Sequence, residues 1–264
     1  MDNAERELLE DTLRKVMTSP VSAAALTGAL TDLGWSELLT QYPRDAVRAV
    51  FRLLGETGAH APVLNDVLLH EQGRPLGGDC VPMPYAGGLW VCWEREAAPG
   101  LGGIDPELPL RVLPEPGTPV PLPLARQALG WWLVGTGRAM VVLARQHILE
   151  RHQFGRPLAS FQALRHKLAE TLVALEGAEA TLIAADGELS SLLAKAAAGR
   201  AARTAARHCQ QTLGGIGFTA EHDLHRHVKR ALAFDGLLGS ARELTREAGR
   251  SIAARGTAPR LVHL

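Results

Sequence analysis

The sequence contains few cysteines, and their arrangement excludes two common kinds of site. The three cysteines, Cys80, Cys92 and Cys209, are odd in number and widely spaced, and none of them belongs to a Cys-x-x-Cys pair. This pattern fits neither a disulfide framework nor a zinc site. It is typical of a protein that works in a reducing compartment.

The sequence has no excess of positive or negative charge and no long apolar run. The chain has 28 Lys and Arg against 28 Asp and Glu, so no overall field attracts nucleic acid or anionic membranes. We therefore expect no nucleic-acid partner. No run of about 18 apolar residues is present, so we expect no membrane span. Because the first residues, MDNAERELLEDTLRKV, lack the apolar core of a signal peptide, we expect a cytoplasmic protein.

Three regions differ in composition. Residues 1–70 repeat apolar side chains at helical spacing and predict short helices. Residues 71–123 are rich in Gly and Pro, and LWVCW and LPLRVL predict strands of a reduced β domain. Residues 124–264 contain four long helical segments with short connections, which favour an antiparallel four-helix bundle. The predicted fold is mainly α, with N-terminal helices, a small β segment and a C-terminal bundle.

Two details of the bundle are testable. The fourth helix is predicted to run unbroken from Thr219 to Ala254. The second helix carries a predicted core-facing stripe at spacings of three and four residues. Its members are Phe161, Leu164, Leu168, Leu172, Leu175, Ala178 and Leu182.

The sequence lacks the motifs of several common kinds of functional site. A di-iron bundle needs Glu-x-x-His pairs, which the chain lacks, and only His222 and His225 of EHDLHRH share a helical face, so we predict no metal site. GIGFTA (215–220) matches a dinucleotide fingerprint by letter, but a helix precedes it where that motif needs a strand. No G-x-S-x-G nucleophile motif occurs.

Polar residues cluster at two predicted helix ends. The first cluster is RHQFGRP (151–157), where a plain turn would need only Gly and Pro, and the second is QQTLGGIGF (210–218). Arg151 can pair with a diphosphate, and Phe154 can cover an apolar ring of a ligand. The amides of Gln153 and Gln162 can form hydrogen bonds with the polar edges of a ligand. The alternative for either cluster alone is ordinary turn and capping chemistry.

Together the two stretches resemble signatures of the acyl-CoA dehydrogenase family of flavoproteins. ERHQFGRPLASFQALRHKLAE is similar to the family pattern R-x-x-F-G-x-x-[LI]-x-x-x-Q, and the segment from KAAAGRAARTAARHC through QQTLGGIGF is similar to K…Q-x-x-G-G-x-G-[FY]. The resemblance points to a shortened actinobacterial steroid-type member. It implies an FAD shared between subunits. The implied contacts are Arg151, Gln153, Phe154, Leu158, Gln162, Gln211, Gly214 and Gly215.

The resemblance also implies a catalytic glutamate, which this chain lacks at both family positions. Counting forward from Gly217 without gaps places Leu238 at the usual base position, and the alternative position aligns near Ala125. Neither residue accepts a proton. Asp235 is a fallback base, so the catalytic residue stays unknown. Arg126 matches a family arginine and is a candidate substrate-binding residue.

These implications leave three hypotheses open. In the first, the chain is a subunit without its own base that pairs with a second acyl-CoA dehydrogenase chain and dehydrogenates an acyl-CoA thioester in lipid or steroid degradation. In the second, it is a non-catalytic helical scaffold. In the third, it is a self-sufficient dehydrogenase that uses Asp235 and forms a homodimer or tetramer.

Overall fold

The N-terminal region is helical, as its apolar spacing predicts. The computed structural model describes residues 3–19, 22–78, 80–95 and 103–258. The first five helices are α1 (Asn3–Thr18), α2 (Ala23–Asp32), α3 (Trp35–Gln41), α4 (Pro43–Thr57) and α5 (Leu64–Glu71). Helix α4 begins at Pro43, which suits the first helical position, where a backbone N–H has no partner within the helix.

A small antiparallel sheet follows. Its strands are β1 (Met83–Tyr85), β2 (Leu89–Trp93) and β3 (Leu110–Val112), in the order β1-β2-β3. Met83 pairs with Val91, and Cys92 pairs with Arg111. The strands predicted at LWVCW and within LPLRVL are present as β2 and β3.

The C-terminal region contains five helices in the described residues rather than four. They are α6 (Pro123–Glu150), α7 (Gln162–Ala184), α8 (Glu188–Leu213), α9 (Leu224–Gly236) and α10 (Ala241–Arg255). Between α6 and α7 lies a two-stranded hairpin, β4 (His152–Gln153) and β5 (Arg156–Pro157). The bundle is built from α6, α7, α8 and the α9–α10 pair.

The prediction of one unbroken fourth helix was wrong. The chain leaves α9 at Gly236, Leu238 takes a positive φ of 57°, and Gly239 has a φ of 97°. Ser240 then caps α10: its hydroxyl accepts from the Glu243 N–H, and the Glu243 carboxylate accepts from the Ser240 N–H. This reciprocal capping box starts a new helix, although the sequence shows helical periodicity across the break.

The predicted stripe of α7 needs one correction. Leu175, Ala178 and Leu182 are buried, but Leu172 is 43% exposed. The buried position is Thr171, whose hydroxyl lies 2.9 Å from Nδ1 of His208 on α8. Helical rotation explains the difference: at 100° per residue, Thr171 lies within about 40° of Leu175, Ala178 and Leu182 around the helix axis, whereas Leu172 is rotated by about 100° from Thr171.

The three regions share one core. Phe51 of α4, Trp93 of β2, Trp132 of α6 and Phe234 of α9 form a continuous aromatic cluster with ring centroids 4.5–5.8 Å apart. Helices α4 and α6 approach so closely that a Cβ on Gly135 would overlap the carbonyl oxygen of Arg52. The β sheet is therefore held between the N-terminal helices and the bundle. None of the described helices is long and apolar enough to cross a membrane.

Candidate functional site

Six of the eight predicted cofactor contacts line one cavity of about 450 Å³. The cavity lies where the ends of α6 and α8 meet the β4–β5 hairpin and the start of α7. The six residues are Arg151, Gln153, Leu158, Gln211, Gly214 and Gly215. Two stretches more than fifty residues apart in sequence thus supply one concave surface.

The hairpin explains why the first stretch holds more than Gly and Pro. Phe154 and Gly155 are the two turn residues, and both have positive φ, 55° and 76°, as a two-residue type I′ hairpin requires. The Leu158 N–H donates to the Arg151 carbonyl at 2.8 Å and closes the hairpin onto the end of α6. The hairpin therefore places Arg151 and Gln153 beside the cavity.

Phe154 and Gln162 do not line this cavity. Phe154 is 84% exposed at the hairpin tip, and its ring packs edge-on against Phe161 with centroids 5.9 Å apart. The Arg156 guanidinium lies 4.2 Å above the other ring, that of Phe161, in cation–π contact. Gln162 is the exposed first residue of α7.

The glycine turn leaves the floor of the cavity open. Gly214 ends α8 with a φ of 67°, and its N–H donates to the Gln211 carbonyl. A Cβ at Gly214 or Gly215 would meet no atom within 4 Å, whereas one at Gly217 would clash with the Gln210 carbonyl. A ligand can therefore approach the backbone at 214 and 215 but not at 217.

The polarity of the cavity is mixed. Helices α6 and α8 both end here, so free carbonyl groups, which accept hydrogen bonds, face this region. Arg151 supplies a cation, and Gln153 and Gln211 supply amides. Burial, followed by the nearby His222 and Arg151, lowers the pKa of His147, which favours a neutral imidazole. The arrangement suits a ligand with one anionic group and several hydroxyl or amino groups.

A larger cavity of about 770 Å³ adjoins the first, and Gln211 lines both. Three arginines of α8 line it, Arg200, Arg203 and Arg207, together with the 70% exposed Phe218. Sequence reasoning missed this surface, although arginines spaced three and four apart on one helix could have indicated it.

The position assigned to the catalytic base lies at the opposite end of the bundle and is closed. Leu238 is fully buried in the hydrophobic core, and its N–H donates to the Pro84 carbonyl at 2.8 Å. Leu237 forms a β-bridge with Tyr85. The first strand of the small sheet therefore covers this position.

The fallback base, Asp235, is already engaged. Its Oδ1 accepts from the Ala241 N–H at 3.2 Å, and its Oδ2 lies 3.4 Å from the Arg203 guanidinium. The carboxylate is buried, with a residue exposure of 6%. One oxygen thus contacts the start of α10 and the other contacts α8.

Lys195 of α8 is a buried group to which the sequence analysis gave no role, although it begins the segment KAAAGRAARTAARHC. Its Nζ donates to the carbonyls of Asp235 and Gly239 at 2.7 and 2.5 Å, on either side of the helix break. Complete burial lowers its pKa to about 7, against the opposing effect of Asp235. A lone lysine in an alanine-rich segment was the available sequence signal.

The buried Arg126 and the half-buried Glu71 both lie at the start of α6. Arg126 pairs with Glu188, and its other terminal nitrogen lies 3.7 Å from Glu247. Glu71 accepts from the N–H groups of Leu124 and Ala125 at 2.6 and 3.0 Å. Burial raises the pKa of Glu71 to about 7 despite these bonds. Arg126 thus contacts acidic side chains rather than an open surface.

The two groups of predicted site residues are well separated. The Asp235 carboxylate packs against Gly199, which lies twelve residues before Gln211 on α8, and this corresponds to about 18 Å along the helix. The cavity at one end and the base position at the other are therefore not one site.

Among the described residues, no cluster of three or more His, Cys, Asp or Glu side chains is placed to hold a metal ion.

Comparisons with known sequences agree with the two signature stretches. Residues 120–252 match the family described as acyl-CoA dehydrogenase, C-terminal domain. IpdE2, an acyl-CoA dehydrogenase of Mycobacterium tuberculosis, is 34% identical over 188 residues, covering 65% of this chain and 57% of that protein. FadE34 of the same organism is 35% identical over 196 residues, covering 64% and 27%. The chain thus spans little more than half of one relative and about a quarter of the other.

Solved structures share the fold at low sequence identity. A variant of the Tcur3481-Tcur3483 steroid ACAD superposes with a TM-score of 0.72 at 19% identity, over 96% of this chain and 99% of that one. The ChsE4-ChsE5 complex from Mycobacterium tuberculosis gives 0.69 at 18% identity, over 98% and 99%. Similarity at this level of identity establishes the fold alone.

Proposed function

This chain belongs to the acyl-CoA dehydrogenase family, and from that premise we propose that it is a flavoprotein subunit that holds part of an FAD shared with a partner chain. The proposed reaction is α,β-dehydrogenation of an acyl-CoA thioester. The observation that carries the proposal is the convergence of Arg151, Gln153 and Leu158 with Gln211, Gly214 and Gly215 on one cavity.

The residues of the cavity suit the nucleotide part of FAD. The Arg151 guanidinium would pair with the diphosphate, while the amides of Gln153 and Gln211 would satisfy ribose or adenine edges. The open backbone at Gly214 and Gly215 would admit close approach. When bound, FAD supplies the acceptor for the hydride that leaves the β-carbon of the thioester.

Neither Leu238 nor Asp235 is placed to abstract a proton from a substrate. Leu238 is buried and its N–H donates to the Pro84 carbonyl, and the Asp235 oxygens already contact Ala241 N and Arg203. A base must come within hydrogen-bonding reach of the substrate proton, but Leu238 carries no basic group and Asp235 is only 6% exposed. We therefore propose that the partner contributes the glutamate and most of the thioester pocket.

Exposed aromatic rings near the cavities support a partner. Phe154 and Phe218 are 84% and 70% exposed, and large exposed apolar side chains beside a polar cavity commonly mark a contact surface. ChsE4-ChsE5, similar in fold, is a complex of two different chains. We propose a second acyl-CoA dehydrogenase chain as the partner, a steroid-derived acyl group as the substrate and the cytoplasm as the location.

The visible absorption spectrum tests the proposal. The chain is purified alone and after co-expression with a second acyl-CoA dehydrogenase chain, and acyl-CoA is then added without oxygen. Flavin bands that appear only with the partner and bleach on substrate addition support the shared site. Flavin in the chain alone that bleaches favours the self-sufficient enzyme with Asp235, and a colourless protein in both preparations favours the scaffold.

A matched pair of variants localises the effect. Arg151→Ala removes the cation of the cavity, and Arg145→Ala removes the same charge from an exposed position on α6 outside it. We expect Arg151→Ala to lower the flavin content of the complex at least tenfold and Arg145→Ala to leave it unchanged. Equal flavin content and activity in both variants would contradict the assignment of the cavity.

A further inference from the structure

Two cysteines that lie apart in the sequence meet in the structure. The Sγ atoms of Cys80 and Cys92 are 2.8 Å apart. Cys80 is half-buried on the loop between α5 and β1, and Cys92 is buried in β2. The sequence predicted no disulfide framework, because the three cysteines are odd in number, widely spaced and outside any Cys-x-x-Cys pair.

A buried amide holds the two chain segments together. The side chain of Asn65, which is fully buried, donates from Nδ2 to the Trp93 carbonyl at 2.9 Å and accepts at Oδ1 from the Val81 N–H at 3.1 Å. Val81 and Trp93 directly follow Cys80 and Cys92. One side chain thus fixes the separation of the backbone segments that carry the two thiols.

A second set of contacts fastens the loop before Cys80. Arg95, just beyond β2, donates from Nε to the Gly78 carbonyl at 2.7 Å and contacts Oδ1 of Asp66 at 2.7 Å. The Gly77 N–H donates to the same carboxylate oxygen at 3.2 Å. The loop is therefore attached to the sheet and to α5 on both sides of Cys80.

We propose that Cys80 and Cys92 form a reversible disulfide when the chain meets a low-molecular-weight disulfide such as oxidised glutathione. An S–S bond is about 2.0 Å long, so the two sulfur atoms need to approach by less than about 1 Å. Asn65, Arg95 and Asp66 hold the two backbone segments beside each other. Cys209 lies in α8 as a buried thiol and takes no part.

The reaction proceeds in two exchange steps that balance. The Cys80 thiolate attacks one sulfur of glutathione disulfide, forming a mixed disulfide and releasing one glutathione. The Cys92 thiol then loses its proton to solvent, and its sulfur attacks Sγ of Cys80, forming the intramolecular bond and releasing the second glutathione. The two cysteines are oxidised by two electrons, and glutathione disulfide is reduced to two thiols.

Burial makes the second step slow near neutral pH. It raises the pKa of Cys92 to about 12, with further increases from the hydrogen bond to Cys80 and the charge of Glu94, while Arg111 opposes them. The accessible Cys80 therefore reacts first. Oxidation should become faster as the pH rises, because more Cys92 is present as thiolate.

The product would tie the loop after α5 covalently to β2. Trp93, next to Cys92, stacks on Trp132 of α6 with centroids 5.6 Å apart. The bond would thus secure the small sheet against the bundle. This inference stands independently of the proposed cofactor.

Thiol counting on the folded chain tests the proposal. The native full chain is incubated with oxidised glutathione, unfolded in denaturant and treated with a thiol reagent. We expect one free thiol to remain of three. Chymotryptic cleavage after Tyr85 separates the two cysteines in sequence, so the two fragments should stay joined until a reductant is added.

Two variants make the result specific. Cys80→Ser should retain two free thiols after the same treatment, and Cys209→Ala should retain none. Three free thiols after treatment of the native chain, a mixed disulfide that persists on Cys80, or a bond that includes Cys209 would each overturn the proposal.

Discussion

The backbone N–H of Leu238 donates to the carbonyl of Pro84 at 2.8 Å, and this bond fastens the small sheet over the α9–α10 break. Further contacts strengthen the attachment. The Gly87 N–H donates to the Glu243 carboxylate at 2.9 Å, and the Tyr85 ring lies so close to Gly236 that a Cβ there would overlap it. The sheet therefore closes the position where the family resemblance places a catalytic glutamate.

Restoring a glutamate at this position should damage the chain. We expect Leu238→Glu to lower the free energy of unfolding by more than about 3 kcal/mol at neutral pH, because it puts a carboxylate into a closed apolar site. Burial would raise the pKa of the new carboxyl, so the loss should shrink as the pH falls and the group is protonated in the folded state. Urea unfolding at two pH values measures both effects.

The control is Leu238→Met, which keeps the volume and should cost less than about 1.5 kcal/mol. If Leu238→Glu were as stable as Leu238→Met in the isolated chain, the position would be open to solvent. The closed site described above would then be wrong.

Lys195 should act as a clamp across the helix break. Lys195→Met leaves the buried carbonyls of Asp235 and Gly239 without their donor, and we expect a loss of about 1–3 kcal/mol. Its folded-state pKa of about 7 is below the ordinary 10.5, so its contribution to stability rises between these pH values. The deficit of Lys195→Met should thus be larger at pH 9 than at pH 6. Lys229→Met, on α9, serves as the control and should change stability little at either pH.

Glu71 should make stability depend on pH in the opposite direction. Its folded-state pKa is raised from 4.5 to about 7, chiefly by burial. Its contribution is fully present below pH 4.5 and is lost as the pH rises through 7. We expect Glu71→Gln to reduce this decline by on the order of 1 kcal/mol, allowing for solvent screening.

Unfolding curves at pH 5 and pH 7.5 measure the Glu71 effect. The matched control is Glu170→Gln, an exposed position on α7, which should leave the pH dependence unchanged. An identical decline in the wild type and in Glu71→Gln would show that this carboxyl titrates normally.

The α4–α6 crossing should tolerate no added methyl group. A Cβ at Gly135 would overlap the Arg52 carbonyl and crowd the Glu56 N–H, both rigid backbone groups. We expect Gly135→Ala to cost more than about 3 kcal/mol. Gly177→Ala, on α7 with no atom within 4 Å of the added Cβ, should instead stabilise the chain by about 0.5–1 kcal/mol. Thermal unfolding of both variants separates packing from helix propensity, and equal effects would contradict the tight crossing.

The parts of the structure that the sequence predicted depend on local patterns. Helical spacing and the two signature stretches located α6, α7 and α8, and the short apolar run LWVCW in a region rich in Gly and Pro located β2. The break before α10 was missed because apolar periodicity continues across it. Ser240 and Glu243, which match the sequence pattern of a capping box, were the available signal. Thr171 was missed because the prediction placed only apolar residues in the stripe, whereas its buried hydroxyl donates to the Lys167 carbonyl of α7 and contacts Nδ1 of His208 on α8. The Cys80–Cys92 contact depends on Asn65, a pairing that local spacing does not encode.

Phe154 offers a way to separate the turn from its aromatic ring. A phenylalanine with a φ of 55° is uncommon, and Asn-Gly is the preferred pair for this kind of two-residue turn. Phe154→Asn should therefore keep the hairpin and stabilise the isolated chain by up to about 1 kcal/mol.

If the exposed ring contacts the shared cofactor or the partner chain, the same substitution should lower the flavin content of the co-purified complex several-fold. Phe154→Tyr keeps the ring and should retain the flavin. A gain in stability with unchanged flavin content in Phe154→Asn would show that the strained turn serves neither contact, and the cofactor site would then rest on Arg151, Gln153 and the glycine turn alone.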